Sequence, residues 1–334
     1  LQNIIKIPGS ILIIQTASIG DVILATALIE SLHKEHPSLL IDLLVRKGHE
    51  TIFTGHPFLH RLLTWDKKQG KYRNLAKLIT TIRRKRYDMV INIQRFLSSG
   101  LITVLAGATS TTGFSKNPLS LLFSKSVPHP IGQGLHETFR NHSLLAGLAN
   151  GLPGRPGLYP SEDDVAFVRG FATPPFYTIS PASLWFTKQF PTDRWVEFIG
   201  LIPADATIIL LGSGTDMALC DRIIHDSRRQ GIVNLAGRLT FLQSAALMKM
   251  ARMNYTNDSA PMHLASAVNA PVTAVFCSTV PAFGFGPLSD DSAIAEITGQ
   301  LSCRPCGLHG HRACPEGHFR CAYEIPLQQL TSRL

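Results

Sequence analysis

The 334-residue sequence lacks any long hydrophobic run. No apolar stretch approaches the roughly 18 uninterrupted residues of a membrane helix, which excludes a helical span. Its first residues lack the charged, apolar and small-residue succession of a secretion signal. Charge is also sparse. Charged residues make up 16% against 45% hydrophobic, which excludes a disordered chain and indicates a compact globular one. Two nucleotide signatures are missing from the loop after the first apolar run. "QTASIGD", residues Gln15 to Asp21, has one glycine, so it has no G-x-G-x-x-G to approach a dinucleotide pyrophosphate and no closing Gly-Lys-Ser/Thr of a P-loop. No aromatic–basic interleaving and no known nucleic-acid motif is present, so no nucleic-acid partner is expected.

At this length two domains of about 150 residues are the default. The net charge of +9 is unevenly shared: residues 1–150 hold 18 Lys and Arg against 8 Asp and Glu, and the remainder holds 14 against 15. The basic run Arg83, Arg84, Lys85 and Arg86 reads either as a solvated helix end or as part of a domain that meets an anionic substrate or surface.

Short apolar runs alternate with helical patterns. Ile11 to Ile14, Leu39 to Val45 and Met89 to Ile93 read as buried strands, with a helix over Val22 to Leu32. A Pro/Gly-rich break from Asn150 to Asp164 reads as a linker. The pattern then restarts, with strands at Tyr177 to Ser180, Thr207 to Leu211, Ile232 to Leu235 and Pro271 to Phe276. Helices are expected at Thr192 to Leu201, Asp216 to Arg229, Thr240 to Met250 and Pro261 to Val268. Two βαβ units predict an α/β fold with two Rossmann-like domains, 1–160 and 161–334, whose parallel sheets face each other across a cleft. The loops after the strands are then the places for chemistry.

Four such loops carry candidates. Asp21 follows Gly20 at a helix start, where a carboxylate serves as a cap, as a catalyst, or as both. Gly212 and Gly214 in "LLGSGTD" make a strand-to-helix turn that either offers N–H groups to phosphate or needs no ligand. In "NDSAPMHLA", Asp258, Ser259 and His263 crowd a helix start, either as caps with a core histidine or as ligands. Thr187 and Lys188 follow the first strand of the second half, where a lysine is either merely exposed or clamps a diphosphate.

Several segments together carry a resemblance: "ILIIQTASIGDVILATALIESL", "YDMVINIQRFLSSG", "TGFSKNP", "FTKQFP", "NLAGRLTFLQSAALMKMA", "NYTNDSAPMHLASAVNAPVTAVF" and "FGFGPLSD" followed by "CRPC". In this order, over about residues 11–325, they resemble the ADP-heptose:lipopolysaccharide heptosyltransferases of glycosyltransferase family 9, which have the two-domain GT-B fold. The resemblance implies a donor of ADP-heptose or a related nucleotide sugar and an anionic lipopolysaccharide-core acceptor. It also implies a cytoplasmic location with contact at the inner membrane, and no cofactor.

Carried over residue by residue, it makes Asp21 the catalytic base and Lys188, with Thr187 beside it, the group that meets the donor diphosphate. Asp258, Ser259 and His263 then contact the donor's phosphates and sugar. The acidic acceptor suits the basic first half, where Gln94, Arg95, His136, Glu137 and Arg140 are acceptor-side candidates. The sequence departs from the family pattern at Ala260 and Cys277, where the family has glycine, which affects the donor pocket. A sugar hydroxyl needs a positioned base to take its proton, and attack by its oxygen from the face opposite the leaving diphosphate inverts the configuration. Cys303, Cys306, Cys314 and Cys321, with His309, His311 and His318 among them, have soft-ligand spacing, but the gaps depart from a regular zinc ribbon. Free or paired thiols are the favoured reading, with no metal site. Two other classes share some features: a GT-B nucleotide-sugar epimerase and a protein that only docks on anionic lipid.

Overall fold

The computed structural model describes residues 7–171 and 174–334. In the first half, β1 (Ser10–Ile14), β2 (Leu40–Arg46), β3 (Arg61–Trp65), β4 (Met89–Asn92), β5 (Ser110–Phe114) and β6 (Lys125–Val127) form a parallel sheet ordered β3-β2-β1-β4-β5-β6. Ile11 pairs with Ile41 on one side and Met89 on the other, and Ile11 to Ile14 are fully buried. Burial on both faces is why this strand reads as an unbroken apolar run. The helices of this half are α1 (Ile19–Glu35), α2 (Lys71–Lys85), α3 (Leu97–Leu105) and α4 (Glu137–His142).

The second half repeats the plan. Strands β7 (Phe176–Ser180), β8 (Thr207–Leu210), β9 (Ile232–Asn234), β10 (Met253–Asn257), β11 (Val272–Phe276) and β12 (Ser292–Glu296) lie in the order β12-β11-β10-β7-β8-β9, all parallel. With them come α5 (Glu162–Arg169), α6 (Thr192–Leu201), α7 (Met217–Ser227), α8 (Phe241–Met250) and α9 (Ala260–Ala267). Short helices α10 (Arg320–Tyr323) and α11 (Gln328–Thr331) close the chain, and Phe319, Cys321, Ile325 and Leu330 join Trp195, Phe198 and Tyr255 in one buried core.

Both sheets have the doubly wound order, so each has a point where the winding reverses: between β1 and β4, and between β7 and β10. Loops diverge there and leave a crevice beyond the strand ends. The two halves are Rossmann-like units of the GT-B fold.

The units divide at Tyr159 and Pro160, but the segment Gly132–His136 clusters with the second unit although it lies within the first half of the sequence. The expected linker is not a free tether. Gly154 N–H donates to Ser31 Oγ at 3.0 Å, Gly157 N–H to Thr26 Oγ1 at 2.9 Å, and Tyr159 Oη to Glu30 Oε1 at 2.8 Å, so its backbone is docked along α1. Its last residues already belong to α5, which Ser161 and Asp164 open with a capping box. The run Arg83 to Arg86 ends α2 just before β4, at the amino end of that strand and away from the ligand crevice. Cations there complement a helix C-terminus, which matches the solvated-end reading.

Candidate active site

In the first unit the loop between β1 and α1 carries Asp21. The N-cap of α1 is Ser18, not the aspartate: Ser18 Oγ accepts from Asp21 N–H, and Asp21 Oδ2 accepts from Ser18 N–H at 3.2 Å and from Ser18 Oγ at 2.6 Å. Asp21 therefore sits at the third helical position as the acidic half of a capping box, which orients its partly exposed carboxylate at the end of β1. Gln94 lies two residues beyond the end of β4, on the other side of the switch point, and is buried. It bonds to Gln15, and its backbone N–H donates to Asn92 Oδ1 at 2.8 Å. Gln94 thus holds the two strand ends together, while neighbouring Arg95 is exposed with its guanidinium over the Phe96 ring.

A residue that sequence reasoning missed joins this loop. Lys67 Nζ donates to both the carbonyl and the hydroxyl of Thr16 at 2.9 Å. Partial burial, with Arg46 and Lys71 nearby, pushes its pKa down to about 8. No motif marks it; its position after β3 is the only signal, and β3 was not anticipated.

In the second unit the switch point brings together four of the predicted residues. Lys188 Nζ pairs with Asp258 Oδ2 at 2.7 Å, and Thr279 Oγ1 donates to the same oxygen at 2.6 Å. Asp258 is buried, while Lys188 retains 15% side-chain exposure. None of the Asn257, Asp258, Ser259 cluster caps α9. Ser259 holds the N-cap position without a side-chain cap bond, and Asn257 instead accepts from Phe190 N–H at 2.9 Å and donates to Pro181 O at 2.8 Å. Asn257 so fastens the Lys188 loop to β10, and the start of α9 keeps its positive end open.

On the first turn of α9, His263 is buried, its Nδ1 has no hydrogen-bond partner, and burial drives its pKa down to about 3. It is a neutral imidazole with a polar atom to satisfy, beside a lysine and an open helix N-terminus. That combination can receive a phosphate or sugar hydroxyl. At Ala260 the backbone is helical with no left-handed φ, so alanine fits where the family has glycine. Cys277 is fully buried, and burial pushes its thiol pKa well up, so it packs as a neutral side chain.

Thr187 is 1% exposed and its hydroxyl is engaged. It accepts from His311 N–H at 2.7 Å and from Ser278 Oγ at 3.0 Å. Thr187 therefore positions Lys188 and does not itself reach out to a ligand. Gly310 closes this knot from the cysteine-rich segment, with φ +75. The glycines of "LLGSGTD" also have internal reasons. A Cβ on Gly212 would lie 2.8 Å from Asp216 Cβ, and a Cβ on Gly237 would lie 2.6 Å from Gly214 Cα. The Asp216 carboxylate accepts Ser213 N–H at 2.7 Å, so an anion of the protein already occupies part of that turn.

The other acceptor-side candidates are dispersed. His136 lies in the segment that clusters with the second unit, where its Nε2 donates to Gly286 O at 3.1 Å and its charge bears on His263. Arg140 is buried in the first unit, paired with Glu137 Oε2 at 2.7 Å, and His129 Nε2 stands 3.1 Å from the same oxygen. A charge so enclosed is held by its partners and is not offered to a ligand. All six cysteines are free, and among the described residues no three His, Cys, Asp or Glu side chains are grouped to hold a metal ion.

Comparison with known proteins places this arrangement. The family model for glycosyltransferase family 9 (heptosyltransferase) matches residues 75–316. The chain is 26% identical over 275 residues to lipopolysaccharide heptosyltransferase 3 of Escherichia coli, covering 78% of this chain and 81% of that one. Its fold matches the structure of E. coli ADP-heptose lps heptosyltransferase II with a TM-score of 0.78 at 22% identity, over 97% of each chain. It matches E. coli heptosyltransferase WaaC with ADP-2-deoxy-2-fluoro heptose with a TM-score of 0.66 at 21% identity, over 87% of this chain and 94% of that one. The chain belongs to glycosyltransferase family 9, the heptosyltransferase family, and is a glycosyltransferase.

Proposed function

We propose that the protein transfers heptose from ADP-heptose to the inner core of lipopolysaccharide, with inversion at the anomeric carbon. The observation that carries this reading is the grouping of Lys188, Asp258 and the unpartnered, buried His263 at the open start of α9. The relatives are lipopolysaccharide heptosyltransferases, and one structural neighbour holds an ADP-heptose analogue. In this reading the second unit, residues 160–334 with Gly132–His136, binds the donor, and the first unit binds the acceptor.

Chemically, Asp21 takes the proton of the acceptor hydroxyl as that oxygen bonds to the anomeric carbon. The bond to the diphosphate breaks, and its electron pair leaves with ADP. One displacement without a covalent intermediate inverts the configuration. Lys188 meets the growing charge on the diphosphate, with the N-terminus of α9 beside it, and Asp258 and Thr279 hold the ammonium in place. His263 Nδ1 bonds a donor oxygen, and Thr187 acts through Lys188. Lys67, with Arg46 and Lys71, meets an anionic group of the acceptor next to the Asp21 loop. A lipid-borne acceptor puts this work at the cytoplasmic face of the inner membrane, where the basic first unit is suited to lie.

The test is ADP release from ADP-heptose with and without a deacylated core acceptor. Acceptor-dependent release supports the reading. Release that needs no acceptor identifies an epimerase-like or hydrolytic activity, and no release from ADP-heptose alongside turnover of another nucleotide sugar assigns a different donor.

A further inference from the structure

Most apolar side chains that stay exposed on a globular protein are scattered and need no explanation, whereas a group of them marks a partner surface. The first unit has such a group. Leu121 is 95% exposed and Leu122 63%, on the short helical turn between β5 and β6. Phe96 and Leu97, at the start of α3, are 52% and 53% exposed. The two pairs belong to neighbouring loops. Asn117 Nδ2 donates to Phe96 O at 3.1 Å, and Gly100 of α3 packs against Asn117 and Leu119.

Their electrostatic setting is one-sided. No aspartate or glutamate occurs from Met89 to His136, while Arg95, Lys116 and Lys125 fall within that stretch. Arg95 places its guanidinium over the Phe96 ring, 5.7 Å from its centroid. Apolar and aromatic side chains flanked by cations, with no anion among them, match the chemistry of an anionic membrane interface. There the rings and leucines enter the acyl boundary and the cations meet phosphate headgroups.

We propose that Phe96, Leu97, Leu121 and Leu122 form a docking rim that seats the first unit on an anionic phospholipid bilayer, steered by Arg95, Lys116 and Lys125. The inference deepens the proposed function, because an enzyme acting on a lipid-borne acceptor has to meet it at the membrane. It assigns that contact to particular residues and excludes the basic run Arg83 to Arg86 from it. The rim's mean charge brings the protein to the surface, and the leucines hold it there, so salt weakens the approach and removal of the leucines shortens the stay.

The test is co-sedimentation of the full chain with vesicles of phosphatidylglycerol and phosphatidylethanolamine, against vesicles of phosphatidylcholine alone. The parent protein should bind the anionic vesicles and leave the neutral ones largely unbound. Leu121→Ser combined with Leu122→Ser should weaken binding by about tenfold or more, as expected for withholding two leucines from an apolar phase. Lys116→Glu combined with Lys125→Glu should weaken it further at low salt than at high salt. All four positions are on the surface, so an unchanged thermal midpoint verifies folding. The proposal is overturned if the parent fails to bind anionic vesicles or if the leucine variant binds like the parent. It is also overturned if the leucine variant turns a lipid-free dimer into a monomer by sedimentation velocity, which makes the rim a contact between copies. Turnover with a deacylated, soluble acceptor should be equal in parent and leucine variant. Absence of that turnover in the parent refutes the proposed heptose transfer from ADP-heptose and leaves the vesicle result to decide the docking rim on its own.

Discussion

Gly310→Ala is the substitution whose consequence can be worked most fully from the geometry. The glycine sits in the cysteine-rich segment at φ +75, and an added Cβ would lie 2.7 Å from Thr187 Oγ1 and 3.2 Å from both Lys188 Cγ and Ser278 Oγ. Left-handed backbone costs an alanine about 1 kcal/mol. Forcing a methyl into packed atoms costs about 1–3 kcal/mol more. The strain relaxes where the structure gives most easily. Thr187 is fixed by His311 N–H and Ser278 Oγ, whereas Lys188 is a long side chain with part of its surface exposed. The methyl therefore moves Lys188 away from its seat on Asp258. A charge-assisted contact is worth about 1.5–3 kcal/mol, and 1.4 kcal/mol is a factor of ten, so ADP should bind about 10- to 100-fold more weakly. Isothermal titration with ADP reads this directly, with the thermal midpoint as the folding control and acceptor KM expected to stay unchanged. A folded Gly310→Ala protein that binds ADP within twofold of the parent would refute the claim that this segment sets the position of Lys188.

Thr187→Ser should keep ADP affinity near that of the parent, while Thr187→Val leaves His311 N–H and Ser278 Oγ without their acceptor and should weaken ADP binding about tenfold in the same titration. Lys67 loses its proton as pH rises through about 8, so acceptor KM should climb between pH 7 and 9 in the parent and lose that dependence in Lys67→Gln. His49 and His56 are buried with pKa values pushed down to about 4, mainly by burial. Since the unfolded chain binds these protons near pH 6.5, their contribution is complete above that pH and shrinks as pH falls toward 4. The thermal midpoint should therefore fall steadily over that window, by an amount on the order of 2–3 kcal/mol of stability per histidine at its lower end.

The candidate groups at the loops after strands were legible in the sequence; the ties that hold them in place were not. Asp21 and Lys188 could be singled out because each follows a recognisable strand, and Asp258 and His263 because they crowd the start of a recognisable helix; the sheet order then puts them at the two switch points. Strands β5 and β10 escaped because their buried positions are polar. "STTGF" and "MNYTN" satisfy their side chains inside the fold, as when Thr178 Oγ1 donates to Asn254 Oδ1 at 2.5 Å, and hydropathy cannot see that. Thr279, Gly310 and His311 escaped because they act across sequence distance, with Thr187 and His311 standing 124 positions apart. The same limit explains Arg140 and Thr187. Their types and neighbourhoods suggested ligand contact, but the partners that enclose them, Glu137 for one and His311 with Ser278 for the other, become apparent only when the chain is folded.

Asp21 has two roles in this account, and Asp21→Asn separates them. An asparagine oxygen still accepts from Ser18 N–H and Oγ, so the capping box and the fold are retained, while the group that takes a proton is gone. The decisive measurement is kcat for acceptor-dependent ADP release by Asp21→Asn at saturating ADP-heptose and acceptor. The account predicts a fall of about 10²- to 10⁴-fold with the thermal midpoint and ADP affinity near those of the parent. A kcat within about threefold of the parent would contradict it, leaving Asp21 as a helix cap alone and the base elsewhere.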